Sequence, residues 1–92
     1  MPNVRVPSML RPTVGGERTL AADGSTLREL ITNVDARHPG FALHLLDPAG
    51  AQRSFVNIYV NDEDVRYLNG LETPVDKGDV ISILPAVAGG QA

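Results

Sequence analysis

An α+β domain, with a single sheet curled over one amphipathic helix, is what this sequence predicts, and three observations predict it. Stretches with strand-like alternation lie on both sides of one strong helical stripe, formed by Leu27, Leu30, Ile31 and Val34. No repeat or shift in composition divides the chain. Its 92 residues suit one modest core and leave no room for a second. A lone helix must bury its stripe and a sheet must bury one face, so each is expected to cover the other.

Val4-Arg5-Val6 alternates apolar and polar side chains and reads as a half-buried first strand, closed by Pro7. The stretch from Ser8 to Val14 is too long for a tight hairpin and is expected to be an irregular loop. Gly15-Gly16 signals a turn, after which Arg18 to Ala22 can return as a second strand. Asp23-Gly24 turns the chain again. Thr26 and Glu29 then have capping-box spacing, with Ser25 as a competing cap, and the helix runs on until Pro39-Gly40 stops it. Arg37 and His38 fall at its negative end.

Phe41 to Leu46 is an apolar cluster expected to pack as an irregular or short helical turn, and Asp47 to Arg53 reads as a surface loop. Phe55 to Val60 is the clearest strand, with Val56, Ile58 and Val60 facing the core. Asn61-Asp62 turns it. Val65 to Tyr67 and Leu71 to Val75 are expected to be short, weakly paired pieces. Lys77-Gly78-Asp79 is a tight turn into the last strand, Val80 to Leu84, which is rich on both faces as befits a central strand. If Ile81 and Ile83 meet the helix, Val80, Ser82 and Leu84 lie on the outer face.

Composition excludes several classes of function. The net charge is −3, with one lysine, Lys77, and seven arginines scattered along the chain. A basic patch is therefore not expected, and nucleic acid is not the expected partner. No cysteine is present, which rules out disulfides, thiolate metal sites and a cysteine nucleophile. His38 and His44 lack metal-ligand spacing and read as a helix-end residue and a surface or packing residue. Asn61-Asp62-Glu63-Asp64 lacks the remaining ligands of a calcium loop and reads as a solvated turn, one whose charge could orient a basic partner. Ser25, Ser54 and Ser82 have no nucleophile-elbow context. No metal, bound cofactor or membrane span is expected. The chain is expected to be cytoplasmic, monomeric when alone, and not an enzyme.

The C-terminal stretch is what remains for chemistry. Pro85 is expected to stop regular pairing, and Ala86 to Gly90 has small side chains ending in Gly89-Gly90. A domain over residues 1–86 followed by a flexible tail over 87–92 is expected, and Pro85 to Gly90 can reach roughly 20 Å when extended. Without a Cβ, a glycine pair can enter a narrow channel and lie against another backbone. A carboxylate there is a poor acyl donor until it becomes a mixed anhydride with AMP, after which a sulfur or nitrogen nucleophile can take the acyl group. A frayed, functionless end is the plain alternative.

Two stretches carry a resemblance: Phe55-Val56-Asn57-Ile58-Tyr59-Val60-Asn61-Asp62-Glu63-Asp64-Val65-Arg66, and Ile83-Leu84-Pro85-Ala86-Val87-Ala88-Gly89-Gly90. With the Asp79-Val80 start of the last strand, they make the chain similar to the MoaD/ThiS family of ubiquitin-like sulfur carriers, most of all to its CysO type. The resemblance implies a β-grasp fold, a mixed sheet of four to five strands over one main helix, with first and last strands parallel at its centre. It implies that an adenylating enzyme of the ubiquitin-activating type uses ATP on the Gly90 carboxylate, and that sulfur then replaces AMP as a thiocarboxylate. A sulfur-transfer synthase, cysteine synthase-like or thiosugar synthase-like, would receive that sulfur. Val87, Ala88, Gly89 and Gly90 would thread the partner's channel, and Leu84, Pro85, Pro7 and Tyr59 would dock it.

Carriers of this family end at the second glycine, whereas Gln91-Ala92 follows here. With those residues attached Gly90 is an internal amide, so cleavage between Gly90 and Gln91 is expected, by a zinc metalloprotease of the JAMM type. An artificial addition is the other origin of the two residues. Conjugation to lysines of other proteins uses the same activation, and an interaction domain with an inert tail needs none. These stand as the alternative functions.

Overall fold

The computed structural model describes residues 1–85. Five strands form one mixed sheet in the order β2-β1-β5-β3-β4, with β1 Asn3–Arg5, β2 Thr19–Ala21, β3 Val56–Val60, β4 Glu63–Asp64 and β5 Val80–Pro85. β1 and β5 are parallel and adjacent at the centre, and the other neighbours are antiparallel. This is the β-grasp arrangement.

The main helix, α1, spans Leu27–Arg37. The Thr26 hydroxyl accepts from the Glu29 amide at 3.2 Å, and the Glu29 carboxylate accepts from the Ser25 amide at 2.8 Å. The capping box therefore forms with its return bond moved one residue outward, which satisfies two amides the helix leaves unpaired. Asn33 Nδ2 donates to the Asp23 carbonyl at 2.8 Å and Arg37 Nη2 to the Ala21 carbonyl at 2.7 Å, tying the helix to the end of β2. All four stripe residues are buried, packed with Val4, Ile58, Ile81 and Ile83 of the sheet. A short helix α2, Phe41–Leu45, closes the core with Phe41 and Leu45. The Asp35 carboxylate accepts from the Gly40 and Ala42 amides at its start.

Three expectations from sequence are corrected. Ser8–Val14 is a 3₁₀ segment, not an irregular loop, because Leu10 and Val14 must both reach the core. Val65–Tyr67 is also 3₁₀, with the Asp64 carboxylate accepting from the Arg66 amide at 2.9 Å, and Gly70–Glu72 is a third such turn. Pro85 does not stop the pairing. It lies within β5 opposite Val56. β1 pairs with β5 only as far as Ser82, so at Pro85 the strand has a neighbour on one side alone and tolerates a missing donor. The Val56 carbonyl opposite it accepts instead from Gln52 Nε2 at 2.8 Å and Arg66 Nη2 at 2.6 Å.

Candidate functional site

The site grows from strand alternation in β5. Ile81 and Ile83 are buried against the helix, so Ser82 and Leu84 must face outward, and Leu84 is 51% exposed. Register then assembles a row across the outer face. Arg5 of β1 sits beside Ser82 of β5, which sits beside Tyr59 of β3. One residue pair nearer the end of β5, Leu84 faces Asn57. Pro7, just beyond β1, comes alongside. Leu84, Pro7 and Tyr59 thus line one shallow groove with Arg5, Arg11, Ser82 and Asp62.

Pro85 goes elsewhere. Alternation turns it to the helix side, where it lines a smaller apolar hollow with Met9, His44 and Phe55. Of the four expected docking residues, three are brought together and the fourth is on the opposite face. Leu84 and Pro85 are adjacent in the chain, yet a single flat partner surface cannot press on both. Val87, Ala88, Gly89, Gly90 and Gln91, the expected threading and processing residues, lie outside the described residues, as does the expected boundary after residue 86.

Electrostatics at this end were not legible in the sequence. Arg11 Nε donates to the Val6 carbonyl at 3.2 Å. Arg66 Nη1 donates to Asn57 Oδ1 at 2.5 Å, beside Leu84, and its Nη2 to the Val56 carbonyl. Arg5 and Arg11, distant in sequence from Leu84, line the groove with it, and the Asp62 carboxylate lines it too. Among the described residues the one ion pair is Arg28 with Glu72 at 2.7 Å, well away from the groove.

The acidic turn has a structural role. Asn61 and Asp62 take positive φ of 52° and 71°, the pattern of a tight two-residue hairpin turn. Asn61 Nδ2 donates to the Asp79 carboxylate at 2.9 Å, and Asn61 Oδ1 accepts from the Val80 amide at 3.0 Å. The Asn61 amide first, and the Asp76 backbone amide second, hold the Asp79 carboxyl below the usual carboxylate range. Among the described residues no group of three or more His, Cys, Asp or Glu could hold a metal ion, and no helix is long and apolar enough to cross a membrane.

Comparison with known proteins adds the following. A model described as the ThiS family matches residues 4–90. The chain is 48% identical over 89 residues to the sulfur carrier protein CysO of Mycobacterium tuberculosis, covering 95% of this chain and 96% of that protein. Its fold superposes with a TM-score of 0.92 on a chain of the crystal structure of the Amycolatopsis orientalis BexX/CysO complex, at 46% identity, covering 98% of this chain and 100% of that one. The crystal structure of Mycobacterium tuberculosis CysO matches with a TM-score of 0.90 at 45% identity, covering 95% and 100%.

Proposed function

The chain belongs to the ThiS family, and from that premise we infer that it is a sulfur carrier protein, a co-substrate charged and discharged by partner enzymes and not itself an enzyme. A protease hydrolyses the bond between Gly90 and Gln91. The freed Gly90 carboxylate attacks the α-phosphorus of ATP in an activating enzyme and displaces pyrophosphate. A sulfide-level nucleophile then adds to the acyl carbon, AMP leaves with the bonding electrons, and Gly90 is left as a thiocarboxylate. A synthase of the cysteine-forming or thiosugar-forming kind accepts the sulfur, and hydrolysis returns the carboxylate.

The observation that carries this reading is the placement of Leu84, Pro7 and Tyr59 in one groove, at the root of the segment that leads to Gly89-Gly90. An enzyme acting on Gly90 has to cover that root, because Pro85 to Gly90 extends only roughly 20 Å. The test uses three forms of the chain: the full sequence, one ending at Gly90 and one ending at Gly89. Each is incubated with ATP, the activating enzyme of the same cell and a sulfur donor, then weighed intact. Only the form ending at Gly90 should exchange oxygen for sulfur. Absence of that exchange defeats the reading, and conjugates on lysines of other proteins would mark a modifier instead.

A further inference from the structure

We propose that Pro7 and Pro85 are positioning residues for the activation of Gly90. Between them they remove both donors of one rung of the parallel ladder, and so leave the end of β5 free to move with the segment that an enzyme draws away. The proposal rests on the carrier reading, since an enzyme working on Gly90 is what makes use of that freedom.

Register locates the missing rung. The Asn3 amide donates to the Asp79 carbonyl at 2.9 Å, and Asn3 is paired with Val80. Each β1 residue of this phase therefore donates to the carbonyl just before its partner in β5 and accepts from the amide just after it. Arg5, paired with Ser82, makes the last such rung. The next would join positions 7 and 84, with the position 7 amide donating to the Ile83 carbonyl and the position 85 amide to the position 7 carbonyl. Both donors fall on prolines, which have none to give.

The ladder does not end because the chain turns away before this rung. Pro7 is still extended, with φ −67° and ψ 156°. On the β2 side pairing runs on beyond Arg5, because the Val6 amide donates to the Arg18 carbonyl at 2.8 Å. The backbone is in place and the donors are missing. The Pro7 carbonyl accepts from the Leu10 amide at 2.9 Å, at the start of the Ser8–Val14 segment. Across β5, the Asn61 amide donates to the Val80 carbonyl, so every second pair is bonded and the last backbone rung to β3 joins Leu84 with Asn57. The end of β5 is thus held to β3 alone by its last rung. A strand tip held on one side opens more readily than one held on both, and the open fraction scales the apparent affinity of a partner that needs it open.

The test restores the donors and reads two quantities. In the full chain, amide exchange measures protection of the Leu84 amide. In the form ending at Gly90, pyrophosphate release with the activating enzyme of the same cell measures kcat and KM. Pro7→Ala with Pro85→Ala should raise Leu84 protection about tenfold, at roughly threefold for each hydrogen bond gained, and raise KM by the same factor at unchanged kcat. Because Pro7 also lines the groove, Pro85→Ala alone, on the opposite face, separates restored pairing from a lost contact. It should shift both quantities about threefold. Protection of Leu84 unchanged or lowered in both variants would overturn the missing rung. Raised protection with KM unaltered, or a loss in kcat at constant KM, would overturn the positioning role. A wild-type form ending at Gly90 that releases no pyrophosphate would overturn the carrier reading instead, with the exchange data still deciding the rung.

Discussion

Ile83 and Leu84 are chain neighbours that strand alternation sends to opposite faces, and substituting each to alanine separates folding from docking. Ile83 is 3% exposed and packs under α1, so Ile83→Ala removes methylene groups from the core and leaves a cavity. Its expected cost is about 3 kcal/mol of stability. Leu84 is 51% exposed, so about half of its side chain is still available for burial when a partner arrives. Full burial of a leucine contributes roughly 1.5–3 kcal/mol, and half of that is about 1 kcal/mol, or about fivefold in kcat/KM for activation. Leu84→Ala should therefore lose at most about 1 kcal/mol of folding stability while activation falls about fivefold. Leu84→Arg should weaken activation further, because it sets a charge where a partner would bury an apolar side chain, and should still fold. Urea unfolding and pyrophosphate release with the form ending at Gly90 read the two quantities. Unchanged kcat/KM in Leu84→Ala would refute the placement of the docking face. So would an equal loss in Ile83→Ala at a temperature where that variant is fully folded.

Two further perturbations test the frame that holds the groove. A Cβ at Gly24 would lie 2.5 Å from the Leu30 backbone nitrogen and 2.8 Å from its Cα, and helix backbone cannot rotate aside. Gly24→Ala should thus cost about 3 kcal/mol, the upper end for overpacking, and a urea midpoint equal to wild type would contradict the packing of this turn on α1. Asp79 is held below the usual carboxylate range by the Asn61 amide and the Asp76 backbone amide, so its ionised form stabilises the fold above the ordinary carboxylate pKa. That stabilisation is lost as pH falls through the lowered value. Asp79→Asn should lower stability at neutral pH and flatten the acid slope below about pH 4, and an unaltered slope in acid-unfolding curves would remove Asp79 from the account.

The elements legible in the sequence were those whose apolar pattern alone decides them. The Leu27, Leu30, Ile31 and Val34 stripe, the alternation of Val56, Ile58 and Val60, and the outward Leu84 all follow from periodicity. Two stretches were less legible. The length of Ser8–Val14 excludes a tight hairpin and so points to a loop, although the spacing of Leu10 and Val14 is the signal for a buried helical turn. Pro85 looked like a stop, because its missing donor is visible in sequence and the substitutes offered to Val56 by Gln52 and Arg66 are not. The meeting of Arg5 and Arg11 beside Leu84 depends on strand order, which no local pattern encodes. The separation of Leu84 from Pro85 needed only the two-residue period, but it was obscured by the expectation that pairing had already ended.

Strand order also bears on the proposed function, because the segment that would carry the chemistry follows β5 and not an edge strand. β5 is paired on both sides from Val80 to Ser82 and on the β3 side as far as Pro85. An edge strand can peel from its single neighbour, whereas a strand held between two others frays only at its tip. Under the proposed function, an enzyme drawing Gly90 into a channel would pull on the end of β5, and in this fold that pull would be met by the antiparallel ladder from Val56 to Val60 together with the Arg66 clamp on Val56 and Asn57. The position of the proline is consistent with this. At Ser82 it would sit where β5 is flanked by both β1 and β3, while at position 85 its missing amide falls beyond the reach of β1. Moving the proline from 85 to 82 should therefore loosen the tail root and the core together, which amide exchange along β3 and β5 would report as lost protection.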